Sequence, residues 1–390
     1  MVADYEGFGA VDPTDRIWDS WSASGTLSRL LGSHTLKAGI DFRLLGVETQ
    51  SFTGGAGNLR FDRFYTSANP LANGTTASGN ALASLLLGYP SGDLGNQSSI
   101  TRSSPLNAFV KYYGLYAQDD FHVSPKLTVN FGLRLEHEDG LSERDNQLTV
   151  AFDRTLNAGG AVGGVTINGV PVRGGLMCAG EGGANEHQGN PPGLKLSLRI
   201  GLVYAFGAKT LLRTGYGVYW APWNYQPVTA VNYGQVGYVR QTFISQGQFV
   251  PTVLLENPFP GGALPPVGNT LGPLTGVGGQ LEFVDQAKGA PWVQQYSADL
   301  AHELGNSMSV GAEYVGATGR SLGLGGSNDA VLNINQLDPQ HLSLGTTLLN
   351  QVPNPFYGLP AGQGFSVASP TVQRRQLLRL FPQFSDILMR

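Results

Sequence analysis

The residues best suited to chemistry form an acidic run with one histidine, Glu136-His137-Glu138-Asp139. Hard cations prefer oxygen ligands such as carboxylates, so this run is a candidate cation site. The run lies where a segment of alternating apolar and polar residues ends and a long polar segment begins. That position is typical of solvated residues at the end of a strand. A second acidic pair, Asp119-Asp120, cannot act as a carboxylate dyad, because neighbours on a strand point to opposite faces.

Other reactive residues are sparse. None of the remaining five histidines has the His-x-His or His-Glu-x-x-His spacing of a zinc site. A single cysteine, Cys178, excludes an intramolecular disulfide and a cysteine-rich zinc site. The glycine-rich stretch 157–193 has no Gly-x-x-x-x-Gly-Lys phosphate loop and is interpreted as a flexible loop. The sequence therefore predicts no enzyme: no catalytic residue, no metal site and no cofactor.

The composition limits the class of protein. Charged residues are 13% of the 390 positions, against about 25% in soluble domains, and 55 residues are glycine. The 18 Phe, 15 Tyr and 5 Trp argue against disorder. Lys and Arg number 24 against 28 Asp and Glu, so no nucleic-acid partner is expected. No apolar run approaches the ~20 residues of a transmembrane helix. An all-β chain remains.

Apolar and polar residues alternate over segments of about nine to fifteen residues, longer than the ~5–6 typical of soluble strands. Membrane-crossing strands need about 9–11 residues. The segments pair into predicted hairpins at 17–47, 109–138, 194–220 and 291–320. Two weaker strands, at 59–65 and from Gln376, would raise the count from eight to ten.

The connections between these strands alternate in length. Tight turns fall at 32–34, 123–125, 207–209 and 305–307, and long loops at about 48–108, 139–193, 221–290 and 317–375. Outer-membrane barrels combine short periplasmic turns with long outer loops in this way. The predicted fold is an antiparallel transmembrane β-barrel segment with long extracellular loops. Within the last loop, Asp338-Pro339 predicts a helix start.

The two strand faces differ in chemistry. One is apolar, as lipid requires, and the other is glycine-rich and polar, as suits a hydrated lumen. Aromatic residues near strand ends are candidates for membrane-interface belts. The predicted interface aromatics are Trp18, Trp21, Tyr113, Phe121, Trp220 and Trp292. The predicted lumen-facing residues are Lys37, Asp41, Arg43, Gln118, Asp120, Arg134, Glu136, Arg199, Arg213, Asp299 and Glu313.

One hairpin resembles a known family. The run YYGLYAQDDF at 112–121 continues through SPKL at 124–127 into NFGLR at 130–134. It is similar to a hairpin of Oar-like TonB-dependent outer-membrane receptors, which are common in Acidobacteria and related Gram-negative bacteria. The resemblance extends over most of residues 17–385. Further similar segments are LRTGYGVY at 212–219, PWVQQ at 291–295, EYVG at 313–316, NINQLDP at 333–339 and NPFYG at 354–358.

This resemblance implies a signal peptide, often a carboxypeptidase-regulatory-like domain, a plug and a barrel of about 22 strands. No signal peptide or plug text precedes residue 17, and the chain does not end in an aromatic-terminated strand. We therefore expect a partial chain holding about eight to ten strands of a larger barrel in the bacterial outer membrane. The implied function is binding a scarce solute and admitting it through a plugged lumen. The implied partners are outer-membrane lipid, a plug and TonB; the solute is unknown.

Two alternatives stay open at this point. The chain could be a complete small pore of eight to ten strands, although an eight-stranded barrel has an interior that side chains nearly fill. It could also be a secreted β-rich carbohydrate-binding or hydrolytic protein. That class requires strand faces buried without charge and a close carboxylate pair, and the sequence shows neither.

Overall fold

A computed structural model shows an all-β chain, as predicted, built around one large antiparallel sheet. No helix among the described residues has the length and apolar character needed to span a membrane. Parts of the long loops, and residue 306 in the last predicted turn, lie outside the described residues. The structure describes residues 2–5, 9, 13–70, 77–92, 97–157, 164–222, 236–244, 246–247, 250–285, 287, 289–305, 307–322, 332–359, 364, 366 and 370–389.

Eight long strands, numbered β1 to β8 along the chain, form the sheet together with the short strand Ser142–Glu143. Their lengths run from 11 to 19 residues. Each pairs antiparallel with the next in sequence, which makes a simple meander. The bounds are β1 Thr14–Leu31, β2 His34–Ser51, β3 Leu106–Ser124, β4 Leu127–Glu138, β5 Lys195–Ala205, β6 Thr210–Trp220, β7 Trp292–Glu303 and β8 Ser309–Arg320.

Three of these strands extend beyond the ranges expected from alternation. Strand β1 begins at Thr14, β2 ends at Ser51 and β3 begins at Leu106, all at the loop end of the sheet. Pairing continues there because β1 and β2 stay in register to their ends and Ser142–Glu143 adds to β3 where β4 has finished. Among the described strands, β1 and β8 do not pair with each other, so the sheet is open.

The two weaker predicted strands are wrong. Residues 59–65 hold only an isolated bridge from Phe61 to Val2 and the start of a 3-10 turn. Gln376 lies in a short helix and its side chain donates to the carbonyls of Pro382 and Phe384. Leu59 and Phe61 pack in one cluster of loop residues and Leu377 in another, so these apolar residues serve loop packing instead of a membrane strand.

The loops carry the remaining regular structure. Short helices are Ala81–Leu86 and Arg374–Leu377, with 3-10 turns at Phe64–Thr66, Val236–Tyr238, Gly272–Leu274 and Pro339–Leu349. The last begins as predicted, with the Asp338 carboxylate accepting from the Gln340 backbone N–H at 2.9 Å. Short strands are Ser99–Ser103, Ser142–Glu143, Thr149–Asp153, Thr166–Ile167, Val170–Pro171, Gly175–Cys178, Val239–Phe243, Leu281–Phe283, Leu332–Asn333, Gln351–Pro353, Thr371–Gln373 and Ile387–Met389.

Three of the long loops pack into a common core, which we call the loop lobe. It draws on segments 152–176, 277–283 and 356–387, far apart in sequence. Leu281–Phe283 and Ile387–Met389 pair in parallel at its centre. This packing differs from the flexible loops expected from a glycine-rich sequence. The core residues are Phe152, Val172, Leu176, Val277, Leu281, Phe283, Phe356, Phe381, Phe384 and Ile387.

Cys178 belongs to the same packed region. It is buried at the end of the strand Gly175–Cys178, which pairs with Thr149–Asp153. Burial, with a smaller contribution from the charge of Glu181, raises the pKa of its thiol to about 11. Thiol reactivity requires the thiolate, so Cys178 acts as a core residue at neutral pH.

An ion pair and a hydrogen bond meet at Asp386, near the end of the loop lobe. Arg379 and Asn333 both donate to the Asp386 carboxylate at 2.8 Å. Burial favours the neutral carboxyl, but these hydrogen bonds and the Arg379 charge outweigh it and lower the pKa of Asp386. A lowered folded-state pKa stabilises the protein above the unfolded-state pKa, and that stability disappears as the pH falls through the folded value.

We therefore expect the lobe to lose stability as the pH falls below 3.8, the ordinary pKa of an aspartate. Asp386→Asn should be less stable at neutral pH and lose less on acidification. Fluorine NMR of protein labelled with fluorophenylalanine would follow the lobe, because its core is rich in phenylalanine. Residual acid sensitivity is expected from Asp153, whose pKa is lowered by bonds from Thr155. An identical pH profile in the variant and the original chain would contradict the assignment to Asp386.

Candidate functional site: the polar face of the sheet

Strand register places all eleven predicted lumen-facing residues on one side of the sheet, here called the polar face. The pairings carry this face across adjacent strands, for example from Lys37 to Gln118 and from Arg213 to Asp299. Residues directly opposite in an antiparallel pair share a face. That this face lines a lumen stays a prediction. The full set is Lys37, Asp41, Arg43, Gln118, Asp120, Arg134, Glu136, Arg199, Arg213, Asp299 and Glu313.

Arg134 is the centre of a network that links β2, β3 and β4. It contacts the Asp41 carboxylate at 2.9 Å and the Glu136 carboxylate at 3.0 Å. It also donates to the Tyr112 hydroxyl at 2.7 Å, and that hydroxyl donates to Glu136. Arg43 adds a second contact to Asp41, at 2.7 Å. The two arginines and the two carboxylates neutralise one another, and the hydrogen bonds among them hold these side chains in place.

A second network surrounds Asp120 nearer the turns. Its carboxylate accepts from Asn130 at 2.6 Å and from Gln118 at 3.2 Å, and Lys37 lies 3.5 Å away. Asp119 points to the other side and accepts from the His34 ring at 2.7 Å. The two neighbouring carboxylates therefore serve opposite faces, as the strand period requires.

The acidic run 136–139 is likewise divided between the faces. Glu136 belongs to the Arg134 network, and His137 bonds Asp139 at 2.9 Å. Glu138 is buried and contacts the Lys195 ammonium at 2.7 Å. The described residues contain no group of three or more His, Cys, Asp or Glu placed to hold a metal ion. The run thus takes part in two ion pairs, Arg134–Glu136 and Lys195–Glu138, and in one hydrogen bond between His137 and Asp139.

The Lys195–Glu138 pair was not predicted. Lys195 retains 3% of its side-chain exposure and Glu138 retains 7%. Strand alternation from Arg134 puts Glu138 on the polar face, so the position of Glu138 could have been predicted from the sequence. Its partner begins β5, more than fifty residues later, and only the register between β4 and β5 brings the two together.

Two glycines on the polar face make room for tyrosine rings. The Tyr116 ring lies over Gly39, and its hydroxyl bonds Thr26 at 2.6 Å. A Cβ on Gly39 would stand 2.5 Å from the Gly25 carbonyl oxygen and 2.6 Å from the ring. Tyr219 covers Gly217 in the same manner, with ring atoms 2.7 Å from a Cβ there. Packing of an aromatic ring over a glycine stabilises a strand at a position that has no side chain of its own.

Gly39→Ala should therefore destabilise the sheet by about 1–3 kcal/mol, because the methyl group overpacks the contact. The urea midpoint of protein folded in detergent micelles would measure the loss. Gly201→Ala is the matched control, because its Cβ would meet its nearest atoms at 3.5 Å, an ordinary contact. Equal stability of the two variants would contradict the role given to Tyr116.

Beyond Asp120 the polar face opens into a shallow trough of about 570 Å³. Four glycines on β4 to β6 form its base, where no side chains fill the space: Gly132, Gly201, Gly215 and Gly217. Polar side chains from β5 to β8 border it: Arg199, Tyr219, Gln295, Ser297 and Glu313. The Arg199 guanidinium lies 4.9 Å from the centre of the Tyr219 ring. This half of the face has space and exposed polar groups.

The opposite side, here called the apolar face, carries five of the six predicted interface aromatics. The Trp220 and Trp292 rings lie 5.8 Å apart, and Tyr113 lies 5.3 Å from Phe42. Register puts Trp18 instead on the polar face, opposite Val47. Trp18 and Trp21 are three residues apart on one continuous strand, so they cannot share a face. The five on the apolar face are Trp21, Tyr113, Phe121, Trp220 and Trp292.

Long antiparallel strands with one apolar and one polar face define the class of outer-membrane β-barrel proteins. The sequence matches the outer membrane beta barrel domain family over residues 3–390. The chain therefore belongs to that family, and its location is the bacterial outer membrane. Among curated proteins there is no significant match.

Solved structures show weak likenesses. The outer membrane transporter YddB from Escherichia coli has 8% identity and a TM-score of 0.39, covering 77% of this chain and 26% of its own. The copper transporter OprC has 11% identity and a TM-score of 0.35, covering 79% of this chain and 31% of its own. The ferric citrate transporter FecA has 10% identity and a TM-score of 0.27, covering 79% of this chain and 36% of its own. The chain spans about a quarter to a third of these structures, and likenesses at this level do not bear on function.

Proposed function

We propose that this chain is the barrel-wall part of an Oar-like TonB-dependent outer-membrane receptor. The whole protein would bind a scarce solute at its outer loops and admit it through a plugged lumen. TonB would supply energy from the inner membrane, and the work would be binding and gating without covalent chemistry. In this proposal the apolar face meets lipid, the polar face lines the lumen and the loop lobe lies outside the cell.

The polar face is the observation that carries the proposal. Charged side chains recur on one side of successive long strands, and many are bonded to one another across strands. A buried protein core would not hold so many charges. Lipid would not accept them either. A hydrated lumen can hold charged side chains. At the loop end of the polar face the strand residues are apolar, and there the loop residues Leu141, Leu148 and Tyr238 cover them.

The open sheet favours a larger barrel over a complete small pore. Barrel closure requires the first and last strands to pair. Among the described residues, β1 pairs only with β2, and β8 only with β7. Unpaired edges of 18 and 12 residues would be sites of aggregation unless other strands cover them. Membership of an outer-membrane family also disfavours the secreted alternative.

Depletion of solutes from growth medium would test this function in the native bacterium. Wild type, a strain lacking this protein and a strain lacking TonB would grow in the same medium, and mass spectrometry would measure what remains. We expect the protein deletion to leave a small set of solutes unconsumed, and the TonB deletion to leave those same solutes among others. Solutes taken up through this protein without TonB would contradict the proposal.

The coding DNA on either side tests the partial-chain part of the proposal separately. We expect an in-frame plug upstream and further long alternating strands downstream, the last ending in Phe or Trp. A signal peptide directly before residue 1, followed by a stop codon after residue 390, would contradict it. Recovery of the chain as a soluble monomer without detergent would contradict the barrel itself.

A further inference from the structure

Arg199 occupies an unusual place on the polar face. In register it lies between two glycines, Gly132 on β4 and Gly217 on β6. The two residues directly opposite it therefore have no side chains. Its side chain is exposed and borders the trough. This position leaves the guanidinium accessible from the space above the sheet.

A cation–π contact with Tyr219 restricts the position of that guanidinium. The Tyr219 ring lies across Gly217, and the guanidinium carbon lies 4.9 Å from the ring centre. A guanidinium stacked on an aromatic ring keeps its N–H donors in a plane, where they can bond a ligand at the edge. Gly217 is therefore part of the arrangement, because any side chain there would displace Tyr219.

Three other arginines of the polar face are paired with carboxylates. Arg43 and Arg134 share Asp41, and Arg213 contacts Asp299 at 3.4 Å. In the part of the chain that the structure describes, no carboxylate lies within 4.0 Å of the Arg199 guanidinium. A preoriented set of donors beside an open trough is suited to an anionic group from elsewhere.

The far side of the trough limits what that ligand can be. Glu313 on β8 borders the trough and carries negative charge, whereas Asp299, directly opposite it on β7, is already paired with Arg213. A second negative group on the ligand would be repelled. Gln295 and Ser297 border the trough closer to Arg199 and can bond neutral hydroxyl groups. The volume of about 570 Å³ lies within the range of small-molecule sites.

We propose that Arg199, held by Tyr219, binds the carboxylate of a small hydroxylated monocarboxylate in this trough. The planar guanidinium matches the planar carboxylate in a two-bond pairing. Gln295 and Ser297 contact the neutral remainder of the solute. This inference rests on the proposed function, because it takes the polar face as a lumen wall that solutes reach.

Titration of the whole receptor that contains this chain, purified in detergent micelles, tests the site. Gluconate is the probe, and sorbitol is the control because it keeps a hydroxylated carbon chain without the carboxylate. NMR of arginine side chains, labelled with nitrogen-15 and assigned by the peak missing in Arg199→Lys, reports binding at the guanidinium itself. We expect a saturable shift of the Arg199 signal with gluconate and none with sorbitol.

Variants separate this site from general charge attraction. Arg199→Lys keeps the charge but loses the planar pair of donors, so gluconate affinity should fall about tenfold or more. Tyr219→Leu should weaken binding because the guanidinium is no longer held. Arg213→Lys, a matched change two pairing rows away on the same face, should leave affinity unchanged. Heat-modifiable gel mobility confirms that each variant is folded.

Three results would overturn the inference: no saturable shift, an equal loss of affinity in Arg213→Lys, or equal binding of inorganic phosphate and gluconate. The last would indicate an unselective anion site. A folded barrel that fails this titration leaves the proposed function standing. Conversely, uptake without TonB would overturn the proposed function even if Arg199 bound gluconate.

Discussion

Lys195→Met should destabilise the folded chain by about 3–5 kcal/mol, among the largest effects expected of a single change here. The substitution keeps the length of the side chain but removes the ammonium that lies 2.7 Å from the Glu138 carboxylate. Glu138, with 7% of its side chain exposed, would then hold a charge far from water. Urea unfolding of protein reconstituted in lipid vesicles, followed by tryptophan fluorescence, would measure the loss.

A double variant and an exposed pair serve as controls. Lys195→Met combined with Glu138→Leu should recover most of the stability, because an apolar pair leaves no buried charge. Arg213→Met breaks the Arg213–Asp299 pair, whose side chains are 59% and 31% exposed, and should cost only about 0–1 kcal/mol. Similar losses in Lys195→Met and Arg213→Met would show that burial of the Lys195 pair has no energetic consequence.

Ala298→Arg should cost about 2–4 kcal/mol in a bilayer, because an arginine would face lipid near the middle of β7. Ala298 lies on the apolar face, in register with Thr214 and Tyr314. The same vesicle unfolding assay would measure the cost. In short-chain detergent micelles the penalty should shrink, because water reaches the side chain more easily.

Ser297→Arg is the matched control for this change, since it places the same residue one position earlier on the same strand. Ser297 lies on the polar face beside the trough. We expect its cost to be about 0–1 kcal/mol, near the value for arginine in a hydrated place. The assignment of lipid and lumen faces would be reversed if Ser297→Arg were the damaging variant and Ala298→Arg the tolerated one.

Much of the sheet was predictable because the direction of a strand side chain is a local property. Alternation with period two assigns each residue to one of two faces without knowledge of its neighbours. Asp41 and Arg43 could therefore be grouped, and Asp119 separated from Asp120. The same rule separates Trp18 from Trp21, which the interface prediction grouped by residue type alone; the structure puts Trp18 on the polar face.

The bonds of the polar face were less predictable. Arg134 could be placed on that face, but its contacts with Asp41 and Tyr112 depend on how β2 and β3 are aligned. The stacking of Arg199 on Tyr219 depends on a glycine in the next strand. Sequence spacing within one strand does not contain the relative alignment of strands.

By itself, then, the sequence determined the fold class, the alternation of the long strands and the family resemblance, because these follow from local periodicity and from continuous runs of residues. Tertiary structure alone decided that Lys195 meets Glu138, that Tyr219 holds Arg199, and that three glycine-rich loops pack around Phe356 and Phe384. The physical reason is distance along the chain. Each of these contacts joins segments whose own patterns are satisfied in many arrangements, and only the energy of packing them together selects one.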